Sequence, residues 1–514
     1  MKTIPPHVLI RIVLAGLWVV LRINGIATER MIVLLTNKET SVLVTLKGCG
    51  EVLENVKGKL YFPENNEGPI RIELNMASKE GSILLDIFNS SNDSYLDYVE
   101  AIGSNEKFAS NNARITNWTS YNSVYTEYKA IILAYELTRT VSLPGKSSNH
   151  CNITFWLNSN AIIPYKNHLN KRFDGTVEQI EAAKDLMTFK IADNLTFIFK
   201  KIYSYQDNEN GYTAHSYKVC EVITDFVITN QETINTIIAQ LEDFLLLVSF
   251  GYGNRVLWIG YEYSDENNYY EFYKGNILNS YKPKRANAID INDWTVNDFI
   301  VKSYSRFIEE ESNYVAIKSA IYALCNDNEF GIIDSKYLEL FSAFESILLS
   351  FKKKDRNEKL LKVSAFKELS KEIELTINKY LEDNNYEMSL KESIVDKISE
   401  LNRPSLKNTL QKFQKEYDLK LDNFWPFFTE NREKPGLSDI RNKLIHGDYL
   451  YNKYDYLDYA KHQLRLILIV TIIKVLGWPI EQTRYTDESV KRECYYYPMI
   501  LKKARENWKL NSKK

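Results

Sequence analysis

Three side chains within six residues have the chemistry needed to cleave a phosphodiester: Arg441, Asn442 and His446. Arginine carries a permanent charge and a planar set of N–H donors that fits phosphate oxygens. Histidine takes and releases protons near neutral pH, which attack by the 2′-hydroxyl of RNA requires. The stretch therefore offers a cation for a pentacovalent phosphate and a group for proton transfer, and we expect neither a metal ion nor a cofactor.

The residues around these three have the period of a helix. Leu437, Ile440 and Leu444 form an apolar stripe that would face a core. Ser438 is the predicted N-cap, and Gly447 is the predicted residue just beyond the C-terminal end.

The spacing on that helix predicts a homodimer. Asn442 and His446 are four residues apart and share a face, so the amide is placed to orient the imidazole. Arg441 lies five residues before His446, roughly 140° around the axis. One helix alone does not aim both groups at one atom, whereas a second copy related by a two-fold axis would let both pairs face a shared cleft.

The segment from Leu437 to Gly447, with Arg-Asn followed by His four residues after the Asn, resembles the signature helix of the HEPN superfamily. The chain as a whole resembles ApeA-type antiphage proteins, which join a β-rich N-terminal region to a C-terminal HEPN domain. The resemblance covers the motif helix most strongly, then the helical C-terminal third, and the N-terminal region only by its general layout.

The resemblance implies a metal-independent endoribonuclease that leaves a 2′,3′-cyclic phosphate and acts on tRNA or other RNA. Arg441 and His446 would be the nuclease pair and Asn442 the polar partner. A dimer through the HEPN domain, a phage-derived or cellular trigger and a role in abortive infection are also implied. Some members carry a modified Tyr two residues after the His, where this chain has Asp448. Others are inactive dimerisation modules, so the alternative is a non-catalytic protein whose β region binds a ligand.

Charge and cysteine content bear on substrate and compartment. Residues 331–514 carry an excess of about six positive charges and residues 1–330 about eight negative ones, which fits an RNA-binding half or two domains that attract one another. The candidate phosphate contacts are Lys443 in the motif helix and a cluster that is equally consistent with a solvated loop: Lys352, Lys353, Lys354 and Arg356. Five scattered cysteines predict a reducing, cytoplasmic environment without zinc or disulfides.

The chain of 514 residues has room for two to four domains, and three regions are predicted. Residues 1–30 are an uncertain leader, with an apolar stretch over 8–23 that Arg11 and Arg22 interrupt; its uninterrupted run, Ile12–Leu21, is too short to span a bilayer. An upstream start codon ahead of Met31 is the favoured explanation, followed by a helix that touches a membrane and then by secretion. No stable membrane insertion is expected.

The other two regions predict an α+β fold. Residues 31–292 have the alternation of a β-rich, sandwich- or barrel-like domain, with hairpins around 207–211 and 265–268 and one apolar helix over 232–249. Residues 293–514 have helical periodicity and would form an all-α HEPN bundle. Eight helices are predicted there: Val296–Glu310, Tyr314–Cys325, Ser335–Phe351, Ser364–Leu381, Leu390–Leu401, Leu406–Tyr417, Leu437–His446 and Tyr456–Leu476.

Two features near the motif have two interpretations each. Glu345, on the third of these helices, would either anchor Arg441 or lie half-exposed on the helix flank, and the flank is favoured. The aromatic run over 424–428 would either stack an unpaired base or pack beneath a loop, and packing is favoured.

Overall fold

The computed structural model describes a chain that combines antiparallel sheets with helices. The described residues are 39–63, 68–90, 95–122, 126–142, 152–158, 161–163, 169–171, 177–179, 188–208, 211–228, 230–265, 267–275, 288–289, 293–309, 311–325, 332–354, 359–387, 389–428, 436–447, 454–494 and 499. The chain divides into two compact units. The first comprises Met1–Val141, Ile202–Tyr217 and Phe272–Ile277, and the second comprises Ser142–Lys201, Lys218–Glu271 and Leu278–Lys514. The predicted leader, including residues 8–23, lies outside the described residues.

The first unit contains an antiparallel sheet of strands β1–β9 and one helix. Their bounds are β1 Glu39–Gly48, β2 Glu51–Tyr61, β3 Ile70–Met76, α1 Ser78–Ser90, β4 Tyr95–Leu96, β5 Tyr98–Ile102, β6 Glu106–Ser110, β7 Ala113–Asn122, β8 Thr126–Ala134 and β9 Glu136–Ser142. The strand order is β9-β6-β5-β1-β2-β3-β8-β7-β4. Val42, Val44 and Leu46 of β1 are buried, whereas Leu43, between Val42 and Val44, is 44% exposed, so the predicted alternation is confirmed. Helix α1 was not predicted; its buried residues Leu84 and Ile87 are three apart, as on one face of a helix.

The second unit begins with strands and ends with helices. Its first elements are β10 Asn152–Leu157, β11 Leu169–Lys171, β12 Val177–Gln179, β13 Thr188–Ala192, β14 Leu195–Asn208, β15 Gly211–Thr224, α2 Gln231–Tyr252, β16 Trp258–Ser264 and β17 Asn268–Lys274, although the parts of β14, β15 and β17 within 202–217 and 272–277 are counted with the first unit. The strand order is β13-β14-β15-β10-β16-β17, with β11 and β12 paired separately. Both predicted hairpins, β14–β15 and β16–β17, and the apolar helix α2 are confirmed.

Helices alone follow in the described residues after 293. Their bounds are α3 Asp293–Glu309, α4 Glu311–Cys325, α5 Ile333–Lys354, α6 Val363–Asp383, α7 Ser389–Ile398, α8 Leu406–Glu416, α9 Leu437–Ile445, α10 Tyr454–Val475 and α11 Asp487–Glu493. A 3-10 turn, Ser399–Asn402, continues α7, and another covers Ile480–Gln482. All eight predicted helices are confirmed with small shifts at their ends, and α11 was missed because seven residues are too few to show a period.

Helix α2 is long and apolar enough to cross a membrane by composition, the one described helix that is. Its most apolar window has a mean hydropathy of 1.4, and 61% of that window is buried in the protein. The core helix of a soluble protein has the same length and composition, so this result is weak evidence for a membrane span. The described cysteines, Cys49, Cys220, Cys325 and Cys494, are all free thiols.

The turn between β16 and β17 is held by one carboxylate. Asp265 accepts hydrogen bonds from the backbone N–H groups of Asn267 (2.8 Å) and Asn268 (2.7 Å) and from the Tyr270 hydroxyl (2.9 Å). Partial burial raises the pKa of Asp265, but these hydrogen bonds outweigh it and lower the pKa below its ordinary value.

Replacing Asp265 by alanine is expected to lower the free energy of unfolding by about 1–2 kcal/mol at pH 7, because the three donors lose their acceptor. Since the pKa is lower in the folded chain, this contribution is fully present above the unfolded pKa of about 4 and is lost as pH falls through the folded value. Urea unfolding at pH 7 and at pH 3 measures the difference between the wild type and the variant. A difference that grows towards acid pH would contradict the assignment.

Candidate active site

The motif helix α9 begins and ends close to the predicted positions. Its first residue is Leu437, and the N-cap is Gly436 rather than the predicted Ser438. The Asp439 carboxylate, in the first turn, accepts a hydrogen bond from the Gly436 N–H at 3.0 Å. The N-cap backbone N–H therefore has a partner within the helix itself. His446 is the C-cap, and Gly447 follows in the left-handed region with φ +79°, as predicted for a residue that ends a helix.

A buried hydroxyl holds the first turn of α9. Tyr337 of α5 is fully buried, and its hydroxyl donates to the Leu437 carbonyl at 2.7 Å. Burial raises the pKa of Tyr337 well above its ordinary value, so the hydroxyl remains protonated and stays a donor. The motif helix is thereby fixed to α5 at a position one hundred residues earlier in the chain.

The aromatic run before α9 holds the same turn from the other side. The Leu437 N–H donates to the Pro426 carbonyl and the Ser438 N–H to the Phe427 carbonyl, each at 2.9 Å. Phe427 is 5% exposed and lies between Phe341 and Phe344 of α5, with both ring centroids at 4.9 Å. Phe427 thus packs against α5, in line with the packing interpretation favoured from the sequence.

A buried amide fixes the run to α10. The Trp425 N–H donates to Oε1 of Gln463, which is fully buried and whose Nε2 contacts Sγ of Cys494 at 3.1 Å. Trp425 itself is 1% exposed. The start of α9 is therefore attached to two long helices.

Arg441 is held in place by three contacts. Its Nη2 lies 3.6 Å from Oε2 of Glu345, its Nη1 donates to Oδ1 of Asn442 at 3.1 Å, and its guanidinium lies over the Phe341 ring at 5.8 Å. The side chains of Arg441 and Glu345 are 35% and 28% exposed. Both interpretations of Glu345 are thus partly right: it is half-exposed on the flank of α5 and it also contacts Arg441.

Asn442 contacts the guanidinium, not the imidazole. The prediction that it would orient His446 through its side chain is wrong within the monomer: the contact between the two residues is a backbone hydrogen bond, from the His446 N–H to the Asn442 carbonyl. A hydrogen bond from a charged donor is stronger than one between neutral groups, which favours Arg441 as the partner.

His446 is exposed at the end of the helix. No side-chain hydrogen bond to its imidazole occurs in the part of the chain that the structure describes, and Asn442 and Gly447 beside it are exposed as well. The site is therefore a fixed cation, an amide that it binds and an imidazole open to solvent, all presented by one short helix.

Comparison of the chain with protein-family models, curated proteins and solved structures finds no match. Among the described residues there is also no group of three or more His, Cys, Asp or Glu side chains that could hold a metal ion.

The predicted phosphate contacts lie in different environments. The Lys352 ammonium, near the end of α5, donates to the Pro404 carbonyl at 3.2 Å, whereas Lys353 is exposed. Lys443 is half-buried in α9. Lys354 is the last residue of α5, but its side chain lies outside the described residues, as does Arg356 entirely. Glu345 and Lys352 lie on the same side of α5, seven residues or about 10 Å apart along the helix. Lys352, the first residue of the basic cluster, is therefore two helical turns from Glu345, which contacts Arg441.

Tyr337 and Phe341 were missed from the sequence as residues that position the site. In the sequence, both residues are simply part of the buried face of α5. A hydrogen bond from a tyrosine to a carbonyl one hundred residues away leaves no local sequence pattern. Their order along α5 matches the order of their partners along α9: Tyr337 contacts Leu437, and Phe341 and Glu345 contact Arg441. The contacts therefore progress in the same order along both helices.

Proposed function

We propose that this protein is a metal-independent endoribonuclease of the HEPN type, acting as an effector in antiphage defence. The observation that carries the proposal is the arrangement of Arg441, which is fixed by Glu345, Asn442 and Phe341 and still partly exposed, on the same helix as the open imidazole of His446. A guanidinium that is held before substrate arrives stabilises developing negative charge without reorganisation.

In the proposed reaction, the 2′-hydroxyl oxygen attacks the adjacent phosphorus while its proton passes to an imidazole. The bond from phosphorus to the 5′-oxygen then breaks, and that oxygen takes a proton from a second acid. The products are a 2′,3′-cyclic phosphate and a 5′-hydroxyl. Arg441 neutralises charge on the phosphorane oxygens, and its hydrogen bond to Asn442 fixes the plane of the guanidinium.

Two proton-transfer groups are needed, and one copy of α9 supplies one histidine. A homodimer would bring a second His446, so that one copy acts as base and the other as acid. The separation of roughly 140° between Arg441 and His446 around the axis also favours a cleft formed by two copies of α9. Single-stranded or looped RNA, including tRNA, is the proposed substrate in the cytoplasm.

The β-rich N-terminal part is proposed to sense a phage-derived or cellular trigger. Its charge supports a division of labour, because residues 1–330 carry a negative excess and would not attract RNA. The basic residues at the end of α5 are proposed to contact the RNA backbone independently of base sequence.

Incubation of the purified protein with total RNA in the presence of a chelator tests the proposal. We expect cuts that leave 2′,3′-cyclic phosphates and 5′-hydroxyls, mapped by ligation-based sequencing of RNA ends. Expression in bacteria, with and without phage infection, provides the trigger in the same assay. If the RNA ends in infected cells are the same with and without the protein, the proposal is wrong.

A second candidate is a non-catalytic protein in which α9 only supports a dimer. The ion pair between Arg441 and Glu345 favours it, because a guanidinium that is already neutralised by a carboxylate needs no phosphate. RNA cleavage by the wild type separates the two candidates, and substitution of Glu345 then tests the role of the ion pair.

Glu345→Gln is expected to lower kcat for RNA cleavage about tenfold with little change in KM, because Arg441 keeps its charge but loses the partner that positions it. The half-exposed ion pair contributes less than about 1 kcal/mol to stability, so the thermal midpoint should hardly change. Glu339→Gln is the matched control: Glu339 lies on the same helix and pairs with Lys336 at 2.9 Å, away from α9. An unchanged kcat for Glu345→Gln would show that the ion pair is only structural.

A further inference from the structure

Strand β7 forms a free edge of the sheet in the first unit. The short strand β4 pairs only with Ala113 and Arg114 of β7, so among the described residues nothing pairs with Thr116–Asn122 on that side. On its other side this stretch is paired with β8. Along an edge strand, every second residue directs its N–H and C=O groups away from the sheet. Residues Thr116–Asn122, which we call the β7 edge, therefore present a row of backbone donors and acceptors about 23 Å long.

The β7 edge lacks the residue types that usually keep a free edge from pairing with other chains. Natural proteins place charged side chains, Lys above all, and Pro on such strands. The β7 edge reads Thr-Asn-Trp-Thr-Ser-Tyr-Asn, without a charge or a proline, whereas the edge strand β13 of the second unit carries Lys190. A β-bulge between Ile115 and Asn117 lies at the start of this stretch and leaves the pairing with β8 regular from Asn117 onwards. The sequence of the β7 edge thus permits the addition of a further strand.

A shallow apolar groove lies beside the β7 edge, on the face of the sheet that carries helix α1. This helix packs mainly on β2, β3 and β8, and its residues Leu85 and Phe88 are only half-buried. Trp118 of β7 is paired with the buried Ala130 of β8, so its side chain lies on the same face, where it is 36% exposed. Between Trp118 and the helix, the groove is also lined by Met76, Leu84, Ile115 and Tyr128.

Tyr128 connects the helix to Trp118. Gly81, in the first turn of α1, lies directly against the Tyr128 ring, and a β-carbon at position 81 would be only 2.2 Å from its Cγ. The Trp118 ring stacks on the same tyrosine, with ring centroids 6.3 Å apart and planes inclined by 18°. Because these contacts fix both walls before a ligand arrives, binding in the groove requires little ordering of the protein.

We propose that the β7 edge binds an extended peptide segment of another protein, which adds to the sheet as a strand and packs a large apolar side chain against Trp118, Leu85 and Phe88. The partial charges of the edge select this class of partner. Positive N–H and negative C=O groups recur along it about every 6.8 Å, and an extended main chain presents the complementary groups at the same repeat. Every second side chain of the added strand would face the groove. The binding uses no residue of the proposed ribonuclease site and stands whether or not the chain cleaves RNA.

Selection on the full-length protein from a phage-displayed library of random peptides, each about 12 residues long so that it spans the β7 edge, supplies the probe. We expect peptides with alternating apolar residues and a Kd below about 100 µM as synthetic peptides. Trp118→Ala and Leu85→Glu should each raise that Kd about tenfold or more, because both remove a wall of the groove. Ile83→Glu is the matched control, since Ile83 is a half-buried apolar residue of the same helix outside the groove; it should leave the Kd within about threefold of the wild type. Circular dichroism verifies that each variant is folded.

Methylation of backbone nitrogens in the selected peptide tests strand addition without any change to the protein. Methylating alternate residues in one register should raise the Kd about 100-fold, because several hydrogen bonds to the β7 edge are lost together. In the other register the methylated nitrogens face solvent, and the Kd should change far less. Backbone hydrogen exchange at Thr116–Asn122 should also slow when the unmethylated peptide is bound. The proposal is overturned if the selection yields no binding peptide, if Trp118→Ala leaves the Kd unchanged, or if both registers of methylation weaken binding equally.

Discussion

Replacement of His446 by alanine is expected to lower the rate of RNA cleavage by a factor of about 10²–10⁴, the usual contribution of a positioned general acid or base. In a dimer both copies lose the group, so no proton-transfer imidazole remains in the cleft. Arg441→Ala should lower the rate by about 10²–10³ through lost stabilisation of the phosphorane. Toxicity in infected cells should disappear for both variants, as measured by growth and by sequencing of RNA ends.

Folding should survive both changes, which makes the result interpretable. His446 is exposed, and as the C-cap residue of α9 it contributes its backbone N–H, which alanine keeps, so the substitution should change stability by about 0.5 kcal/mol or less. His462→Gln is the matched control, because His462 lies half-buried on α10 and is given no role in the reaction. Cleavage by purified His446→Ala at the wild-type rate would refute the assignment of this imidazole.

The helical half of the fold was predictable because its periodic segments are long. Helices such as α5 and α10 each repeat an apolar face over six turns, and that pattern survives whatever the partners are. The helix α1 was missed because it is short and stands among strands, with buried positions, among its described side chains, only at Gly81, Leu84 and Ile87. The order of strands in the sheets could not be predicted, since pairing such as that of β1 with β5 depends on contacts far apart in the sequence.

For the site, residue types were predictable and contacts were not. Arg441 and His446 stand out because few side chains combine these chemistries at close spacing. Two of the three partners of Arg441, Glu345 and Phe341, come from α5, about one hundred residues earlier, and only tertiary packing brings them to it. Asn442 was predicted to contact His446 but contacts Arg441. A spacing of four residues shows that two side chains share a face of a helix. It does not show that a charged donor nearby will form the stronger hydrogen bond.

Phe427→Ala is expected to lower the free energy of unfolding of the helical part by about 3–5 kcal/mol, the typical cost of removing a buried ring. The ring is 5% exposed between Phe341 and Phe344, and its removal leaves a cavity directly beneath α9. The backbone of the same residue holds Ser438 at the start of the helix, so loosening this loop should also weaken RNA cleavage. Urea unfolding followed by circular dichroism measures the first effect, and the fluorescence of the neighbouring Trp425 reports on this region.

Two further variants separate packing from base stacking. Phe427→Leu restores most of the volume and should recover more than half of the lost stability, because cores tolerate apolar replacements of similar size. Phe428→Ala is the matched control: the Phe428 ring is half-exposed, so its loss should cost no more than about 1.5 kcal/mol. A base-stacking role for Phe427 predicts the opposite outcome, with RNA affinity reduced, stability unchanged and no rescue by leucine, since only an aromatic ring stacks on a base. That result would place RNA against the loop and contradict the packing assigned to it.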